Sequence, residues 1–281
     1  MRLFLLTLTV MICFAANSVL NRMAVGVYQA DPGVFAIVRV LSGAVVLLAL
    51  ARSRGGLPEL RGPRRLVGAA ALSVYLVGFS MAYLTLDAGL GALILFGVVQ
   101  VAMFGHSALT GSRPGPAQMA GAGLAFCGLV VVLWPSGSHA PDPVGVALMV
   151  AAGAGWTIYT LAGRGESDAL AATAANFLLA APIVTLAVLA GGALPMPGPA
   201  AFALAALSGA VTSGMGYALW YSVLPRLAPG VAAPVQLSVP VIALAAGALL
   251  LGEALQWRFL IGAIVVLGGI ALALRKPGGA A

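Results

Sequence analysis

The chain has 281 residues, of which 62% are hydrophobic and only 7% are charged, and its mean hydropathy is +1.08. Soluble domains carry roughly 25% charged residues, so this composition excludes an ordinary water-soluble protein. The net charge of +7 does not indicate a protein that binds nucleic acid, because the few basic residues are thinly spread and mostly flank apolar runs. The composition predicts an integral membrane protein whose first partner is the lipid bilayer.

Apolar runs of roughly 20 residues, the length that an α-helix needs to cross a bilayer, recur along the whole chain. Bounded by Pro, Gly and charged residues, they predict an all-α protein of about ten transmembrane helices. The first run has some features of a signal peptide, but it continues to Val27 and therefore favours a retained helix. The predicted helices span residues 3–24, 33–51, 65–84, 88–109, 117–134, 144–162, 169–190, 200–224, 229–250 and 256–274.

Basic residues predict the orientation in the membrane. The connector from Arg52 to Arg65 contains five arginines against one glutamate, so it is expected to face the cytoplasm. Successive loops alternate sides, which predicts that both termini are cytoplasmic in the inner membrane of a bacterium. The other basic residues that this topology puts on the cytoplasmic side are Arg2, Arg113, Arg164, Arg226, Arg275 and Lys276.

The two halves of the sequence resemble each other at an offset of about 141 residues. The glycines at 111, 121 and 128 align with those at 252, 262 and 269. At an offset of 142, Phe14 aligns with Trp156, and Arg22 aligns with Arg164. Because five helices per half is an odd number, the second half must enter the membrane upside down. The sequence predicts two inverted five-helix repeats, residues 1–139 and 140–281, an architecture found in many secondary transporters.

Small residues predict where helices approach each other closely. Gly121 with Ala125, and Gly209 with Ser213, have the four-residue spacing that lets two helix backbones meet. Glu253 lies at the end of the ninth predicted helix, where a carboxylate is interpreted as part of a turn or cap.

Four segments of the chain resemble motifs of the EamA family in the drug/metabolite transporter superfamily. They are residues 14–22 (FAANSVLNR), residues 35–39 (FAIVR), residues 88–93 (AGLGAL) and the run from Pro240 to the Leu-Gly-Glu that ends at Glu253. The resemblance covers nearly the whole chain. It implies ten helices, cytoplasmic termini and the export or uptake of metabolites such as amino acids. The first-half counterparts of Pro240 and Glu253 are Val99 and Ser112, a departure that leaves the subfamily open.

Polar side chains inside a bilayer are costly and tend to face the interior of a helix bundle, so each is a candidate for function. Arg39, about seven residues into the second helix, either contacts an anion or is held by carbonyls or asparagines at a helix crossing. Gln236 lies between Pro234 and Pro240, which either open a binding site or only shape helix packing. The aromatic candidates either line a pocket or anchor at headgroup level. The predicted substrate-binding residues are Asn17, Arg39, Gln100, Trp156, Tyr159, Tyr217 and Gln236.

The predicted function is secondary transport of a small-molecule substrate, an amino acid or related metabolite, with export favoured. All seven acidic residues fall in loops or at helix ends, which disfavours a proton antiporter built on a mid-membrane carboxylate. No nucleotide-binding Gly-x-x-x-x-Gly-Lys loop and no hydrolase motif occurs, so no catalytic residue, metal or cofactor is predicted. A nucleotide-sugar or lipid-linked carrier and a polytopic membrane enzyme stay as alternatives, and a homodimer is compatible with the sequence.

Overall fold

The computed structural model describes residues 1–56, 58–110, 115–133, 140–163, 166–192, 195–227, 235–236 and 238–273. Every regular element within these residues is a helix. The helices are α1 (Arg2–Arg22), α2 (Pro32–Ser53), α3 (Pro63–Ala82), α4 (Ala88–Leu109), α5 (Pro116–Leu133), α6 (Pro143–Ala162), α7 (Ala169–Leu189), α8 (Pro199–Leu207), α9 (Gly216–Val223), α10 (Ser238–Leu251) and α11 (Trp257–Ala273).

Two of these helices are continued by wider π-helical turns. Met23–Val27 extends α1, and Ser208–Met215 joins α8 to α9 in one continuous rod that ends in a 3-10 turn at Leu224–Arg226. We call Ser208–Met215 the π segment. Such segments are rare inside helices and occur often at functional sites.

Seven helical stretches within the described residues are long and apolar enough to cross a membrane. They are α1 with its π turn, α2, α3, α4, α6, α7 and the α8–α9 rod. Their ends lie within three residues of the bounds predicted from hydropathy. The protein is therefore a multi-pass, all-helical membrane protein. The predicted total of about ten spans is reached only if the shorter apolar stretches in α5, α10 and α11 also cross.

Aspartates begin several of the helices. A carboxylate oxygen of Asp31 accepts the N–H of Val34 at 2.9 Å, and one of Asp142 accepts the N–H of Gly145 at 2.6 Å. Each satisfies an N–H group that the first turn of a helix leaves without an internal partner. The seven acidic residues all lie outside the helices, as the sequence predicted.

The two halves of the sequence interleave in a single bundle. α3 packs against α6 and α7, and α2 packs against α7 and the π segment. α4 contacts α6 and α10, while α1 contacts α10 and the α8–α9 rod. α5 and α11 form a closely packed pair. The main core of buried side chains therefore draws on helices from both halves.

Glycines allow α5 and α11 to approach each other closely. A Cβ added at Gly128 would lie 2.7 Å from the backbone nitrogen of Val266. One added at Gly269 would lie 2.6 Å from the carbonyl oxygen of Gly121 and 2.5 Å from the nitrogen of Ala125. The close approach predicted from the spacing of Gly121 and Ala125 is confirmed at this crossing.

We expect Gly128→Val to destabilise the protein, because its side chain would push into the backbone of α11. Overpacking of this kind costs about 1–3 kcal/mol. The control is Gly123→Val in the same helix, where an added Cβ meets nothing within 4 Å. Thermal melting in detergent compares the two variants. An equal loss of stability in both would contradict close packing between α5 and α11.

Candidate functional site

Arg39 lies within α2 and is fully buried, at 0% exposure. Its Nε donates to Ser213 Oγ at 2.9 Å, and its Nη2 donates to Tyr75 Oη at 3.0 Å and to Tyr217 Oη at 2.8 Å. The guanidinium carbon lies 5.3 Å from the centre of the Tyr75 ring and 4.9 Å from that of Phe79. The third nitrogen, Nη1, has no hydrogen-bond partner among the described residues.

No acidic side chain pairs with Arg39 within the described residues, whose ion pairs all lie at helix ends. Three neutral hydroxyls and two aromatic faces stabilise the guanidinium, and a cation–π contact is worth about 0.5–2 kcal/mol. Neutral groups leave the formal charge in place, although an ion removed from water without a counter-ion is costly. The interior of the bundle therefore carries an uncompensated positive charge.

Asn17 of α1 connects the π segment to Arg39. Its Oδ1 accepts hydrogen bonds from Ser208 at 2.8 Å, Thr212 at 2.6 Å and Ser213 at 3.1 Å. Ser213 is within reach of both Asn17 and Arg39, so one hydroxyl joins the amide to the guanidinium. The amide nitrogen Nδ2 of Asn17 has no partner among the described residues.

A cavity of about 10 Å³ lies beside this polar cluster, which is room for about one water molecule. Its lining residues are all buried. The Phe14 ring packs edge-on against Trp156, with centroids 5.5 Å apart, and against Tyr217 at 5.7 Å. Arg39 contacts three of the side chains that form the wall. The wall includes Phe14, Asn17, Tyr75, Phe79, Trp156 and Tyr217. We call Arg39, this wall and the cavity the central site.

The structure brings five of the seven predicted site residues together. Asn17, Trp156 and Tyr217 line the cavity, and Arg39 contacts its wall. Tyr159 lies next to them, with its ring centre 5.5 Å from that of Trp156. The Trp156 and Tyr159 side chains are both buried, at 3% and 0% exposure, so they lie inside the bundle.

The two predicted glutamines lie apart from this cavity. Gln100 and Gln236 are buried, at 2% and 5% exposure, but neither is among the residues that line it. Pro234, on which the interpretation of Gln236 partly depended, lies outside the described residues. Substrate binding by all seven residues stays a prediction.

Sequence reasoning did not select Tyr75, Phe79 or Ser213 for the site. Tyr75 and Tyr217 are 142 residues apart, which is the offset that aligns Phe14 with Trp156. A search for aromatic or polar residues at this offset would have found Tyr75. Ser213 gave no such signal, because small polar residues are common in membrane helices and serve packing as often as binding.

An ion-pair network ties helices together at one end of the bundle. Arg22 pairs with Asp87 at 3.5 Å and with Glu253 at 3.6 Å, and it donates to the carbonyl of Tyr83 at 3.0 Å. Glu253 accepts the N–H of Ala88 at 2.9 Å, so it caps α4 from the other half of the sequence. Burial raises the pKa of the Glu253 carboxyl, while the Ala88 N–H and Arg22 oppose this effect.

A second ion pair lies at the opposite end of the bundle. Arg65 forms a two-pronged pair with Glu166, at 2.9 and 2.8 Å, and each side chain is 15% exposed. Arg65 lies at the start of α3 and Tyr83 follows its last residue, so about 27 Å of helix separates the two networks. The central site thus lies in a bundle that has ion pairs between its parts at both ends.

The fold and the site define a multi-pass helical membrane protein with an enclosed polar and aromatic site among its buried helices. The profile of the EamA-like transporter family matches residues 143–275. The uncharacterized protein PA1977 of Pseudomonas aeruginosa is 48% identical over 276 residues, which covers 97% of this chain and 94% of that protein. This chain belongs to the EamA-like transporter family, a family of membrane transporters, and the resemblance identified from its motifs is confirmed.

Two further proteins are similar to this chain over most of its length. An uncharacterized transporter of Archaeoglobus fulgidus is 26% identical over 255 residues, covering 86% of this chain and 86% of that protein. A solved crystal structure has a TM-score of 0.71 at 20% sequence identity, covering 97% of this chain and 95% of that chain. At this identity the likeness shows a shared fold.

Proposed function

We propose that this protein is a secondary transporter that exports a small metabolite, an amino acid or related compound, across the bacterial inner membrane by alternating access. The observation that carries the proposal is the central site: a buried cation, an amide and an aromatic cavity inside an apolar bundle. Polar groups at such a position are costly, and in membrane proteins they mark the paths of substrates.

Two inverted repeats, residues 1–139 and 140–281, with ten spans in total, are part of this proposal. Contacts between residues 142 positions apart support it. The hydroxyls of Tyr75 and Tyr217 lie 2.9 Å apart, and the rings of Phe14 and Trp156 lie 5.5 Å apart. Two residues that are related by a two-fold axis can contact each other only close to that axis. Contacts between equivalent residues are therefore expected along the axis that would relate the two repeats. Carriers built from inverted repeats bind their substrates between the repeats in this way.

The helix contacts also support the proposed symmetry. If α1 to α5 correspond in order to α6, α7, the α8–α9 rod, α10 and α11, then α2 packs on α7, α4 on α10 and α5 on α11 as pairs of equivalents. The contact of α3 with α6 corresponds to that of the α8–α9 rod with α1. The contact of α4 with α6 corresponds to that of α10 with α1.

Alternating access is supported by the ion pairs at the two ends. With cytoplasmic termini, the Arg65 and Glu166 pair closes the cytoplasmic end, and the network of Arg22, Asp87 and Glu253 closes the periplasmic end. A cavity of about 10 Å³ is too small for any metabolite, so the described residues leave the central site occluded in this conformation. Opening one end at a time would admit the substrate and release it on the other side.

A nucleotide-sugar or lipid-linked carrier is the weaker proposal. A diphosphate group is usually held by several cations. Arg39 is the buried cation of the central site among the described residues.

Counterflow in proteoliposomes tests transport directly, because it requires no knowledge of the driving ion. Vesicles are preloaded with an unlabelled candidate, and uptake of the labelled compound is followed. We expect accumulation for one group of amino acids or related metabolites, and none in vesicles without the preload. If no amino acid, sugar or nucleotide gave labelled uptake, with the protein shown to be folded and inserted, the proposed function would be contradicted.

A further inference from the structure

We propose that the central site recognises the carboxylate of a small organic anion through Arg39, and that the substrate is a monocarboxylate with an apolar or aromatic body. This inference rests on the proposed function of the protein as a transporter and names its substrate class. It follows from the charge, the unpartnered donors and the apolar wall of the site.

The charge of the central site calls for an anion. Arg39 is fully buried, and its three hydrogen-bond partners are neutral hydroxyls. Its Nη1 has no partner among the described residues. A carboxylate accepts two parallel N–H bonds from a guanidinium, and these bonds are roughly twice as strong as neutral ones. A bound carboxylate would satisfy both the free nitrogen and the charge.

The wall of the cavity adds donors. Asn17 Nδ2 and Trp156 Nε1 are buried and have no partner among the described residues. Neither group can accept a hydrogen bond, whereas a carboxylate offers about four acceptor positions. The lining residues of the cavity include no acidic side chain, so the ammonium group of a zwitterion would have no counter-ion there. The site is therefore complementary to an anion.

Much of the wall is apolar. Phe14, Phe79, Leu95 and Phe96 line the cavity together with its few polar groups. Ligand pockets are usually built in this way, with apolar walls that hold the body of the ligand and a few polar groups that orient it. This arrangement fits an aromatic or branched aliphatic body attached to the carboxylate.

Arg39 becomes accessible when the two halves move. Tyr75 lies on α3 and Tyr217 on α9, so the contact between their hydroxyls joins one half of the sequence to the other. Opening the bundle separates the two tyrosines, which widens the cavity and turns the guanidinium from the hydroxyls towards the carboxylate. Substrate binding and opening are thus linked through the same two side chains.

The first test compares ligands of nearly equal shape on the unchanged protein. The protein in detergent is titrated with 3-phenylpropionate, 3-phenylpropanamide, 2-phenylethylamine and phenylalanine, together with branched aliphatic carboxylates, and tryptophan fluorescence reports binding. We expect a carboxylate to bind about tenfold or more tightly than its amide, because the guanidinium adds a charge-assisted bond. Equal affinities, tighter binding of the amine, or no binding of any carboxylate would overturn the proposal.

The second test changes Arg39 itself. Arg39→Gln should bring the ratio of carboxylate to amide affinity close to one. Arg39→Lys should keep part of the preference for the carboxylate, because lysine retains the positive charge but cannot donate two parallel hydrogen bonds as a guanidinium does. The control, Arg54→Gln, lies exposed at the end of α2 and should leave the ratio unchanged. A ratio that survives in Arg39→Gln would overturn the proposal. If this variant does not fold, the proposal is still tested by the comparison of carboxylate and amide affinities on the unchanged protein.

The outcomes separate this inference from the proposed function. Counterflow of a neutral or cationic compound, with no preference for carboxylates, would overturn the anion site and leave the protein a transporter. If no class of compound gave labelled uptake in counterflow, the proposed function would be contradicted, whatever the binding titrations show.

Discussion

Gly209→Ala is expected to lower the melting temperature by about 5 °C and to reduce the yield of folded protein. An added Cβ would overlap the carbonyl oxygen of Arg39 and the hydroxyl of Ser42, and would lie 2.7 Å from the Arg39 carbonyl carbon. The backbone of α2 cannot rotate away as a side chain can. Overpacking costs about 1–3 kcal/mol, and each kcal/mol shifts the melting temperature by about 2–4 °C at this size.

The control for this substitution is Gly105→Ala in α4. A Cβ at Gly105 meets nothing within 4 Å, and alanine is favoured over glycine inside a helix by about 0.8–1 kcal/mol. Gly105→Ala should therefore melt at the same temperature as the unchanged protein or higher. If Gly209→Ala behaved in the same way, the π segment would not pack against α2 as closely as the structure shows. The four-residue spacing of Gly209 and Ser213 predicted this close crossing.

Reversal of the charge at Arg65 is expected to slow counterflow by roughly tenfold. Arg65→Glu would face Glu166 with a like charge in place of a two-pronged ion pair. The pair ties α3 to the connector before α7, so its loss shifts the balance between the open and closed forms of that end. A tenfold change in rate corresponds to about 1.4 kcal/mol, well within what a partly buried pair contributes.

The second half of this test is the restoring change. Glu166→Arg alone should also slow counterflow, and the double variant Arg65→Glu with Glu166→Arg should recover most of the initial rate. The control is Arg61→Glu, an exposed position in the connector between α2 and α3. This substitution changes the net charge by the same amount as Arg65→Glu. A double variant as slow as the slower single one would show that the pair does not close this end.

Much of the fold was predictable because its signals are local. A helix in a bilayer needs a long apolar run, and a cap or proline marks its start, so the seven candidate spans were found to within three residues. The turns of the π segment were not predicted, since their wider hydrogen-bonding pattern depends on the helices that pack against Ser208–Met215. The motifs were equally local, and they led to the family that the comparisons confirm.

The site was predictable only in part. The cost of burying polar groups in lipid selected Asn17 and Arg39, and the large contact area of aromatic rings selected Trp156 and Tyr217. These four residues do meet at the cavity or its wall. The same cost selected Gln100 and Gln236, which are buried but do not line it. Burial alone cannot rank these residues, because a polar side chain can be satisfied at any helix crossing.

The sequence by itself determined that the protein lies in a lipid bilayer, where most of its helices begin and end, and to which family it belongs. Hydropathy, caps and motifs give this information because each depends only on residues that are close together in the sequence. Only the tertiary structure decided that the Tyr75 hydroxyl meets that of Tyr217 and that Ser213 joins Asn17 to Arg39. Membrane helices are apolar on every side, so hydrophobic periodicity does not show which face turns inward. The contacts of the central site depend on that choice of faces, which the packing of whole helices determines.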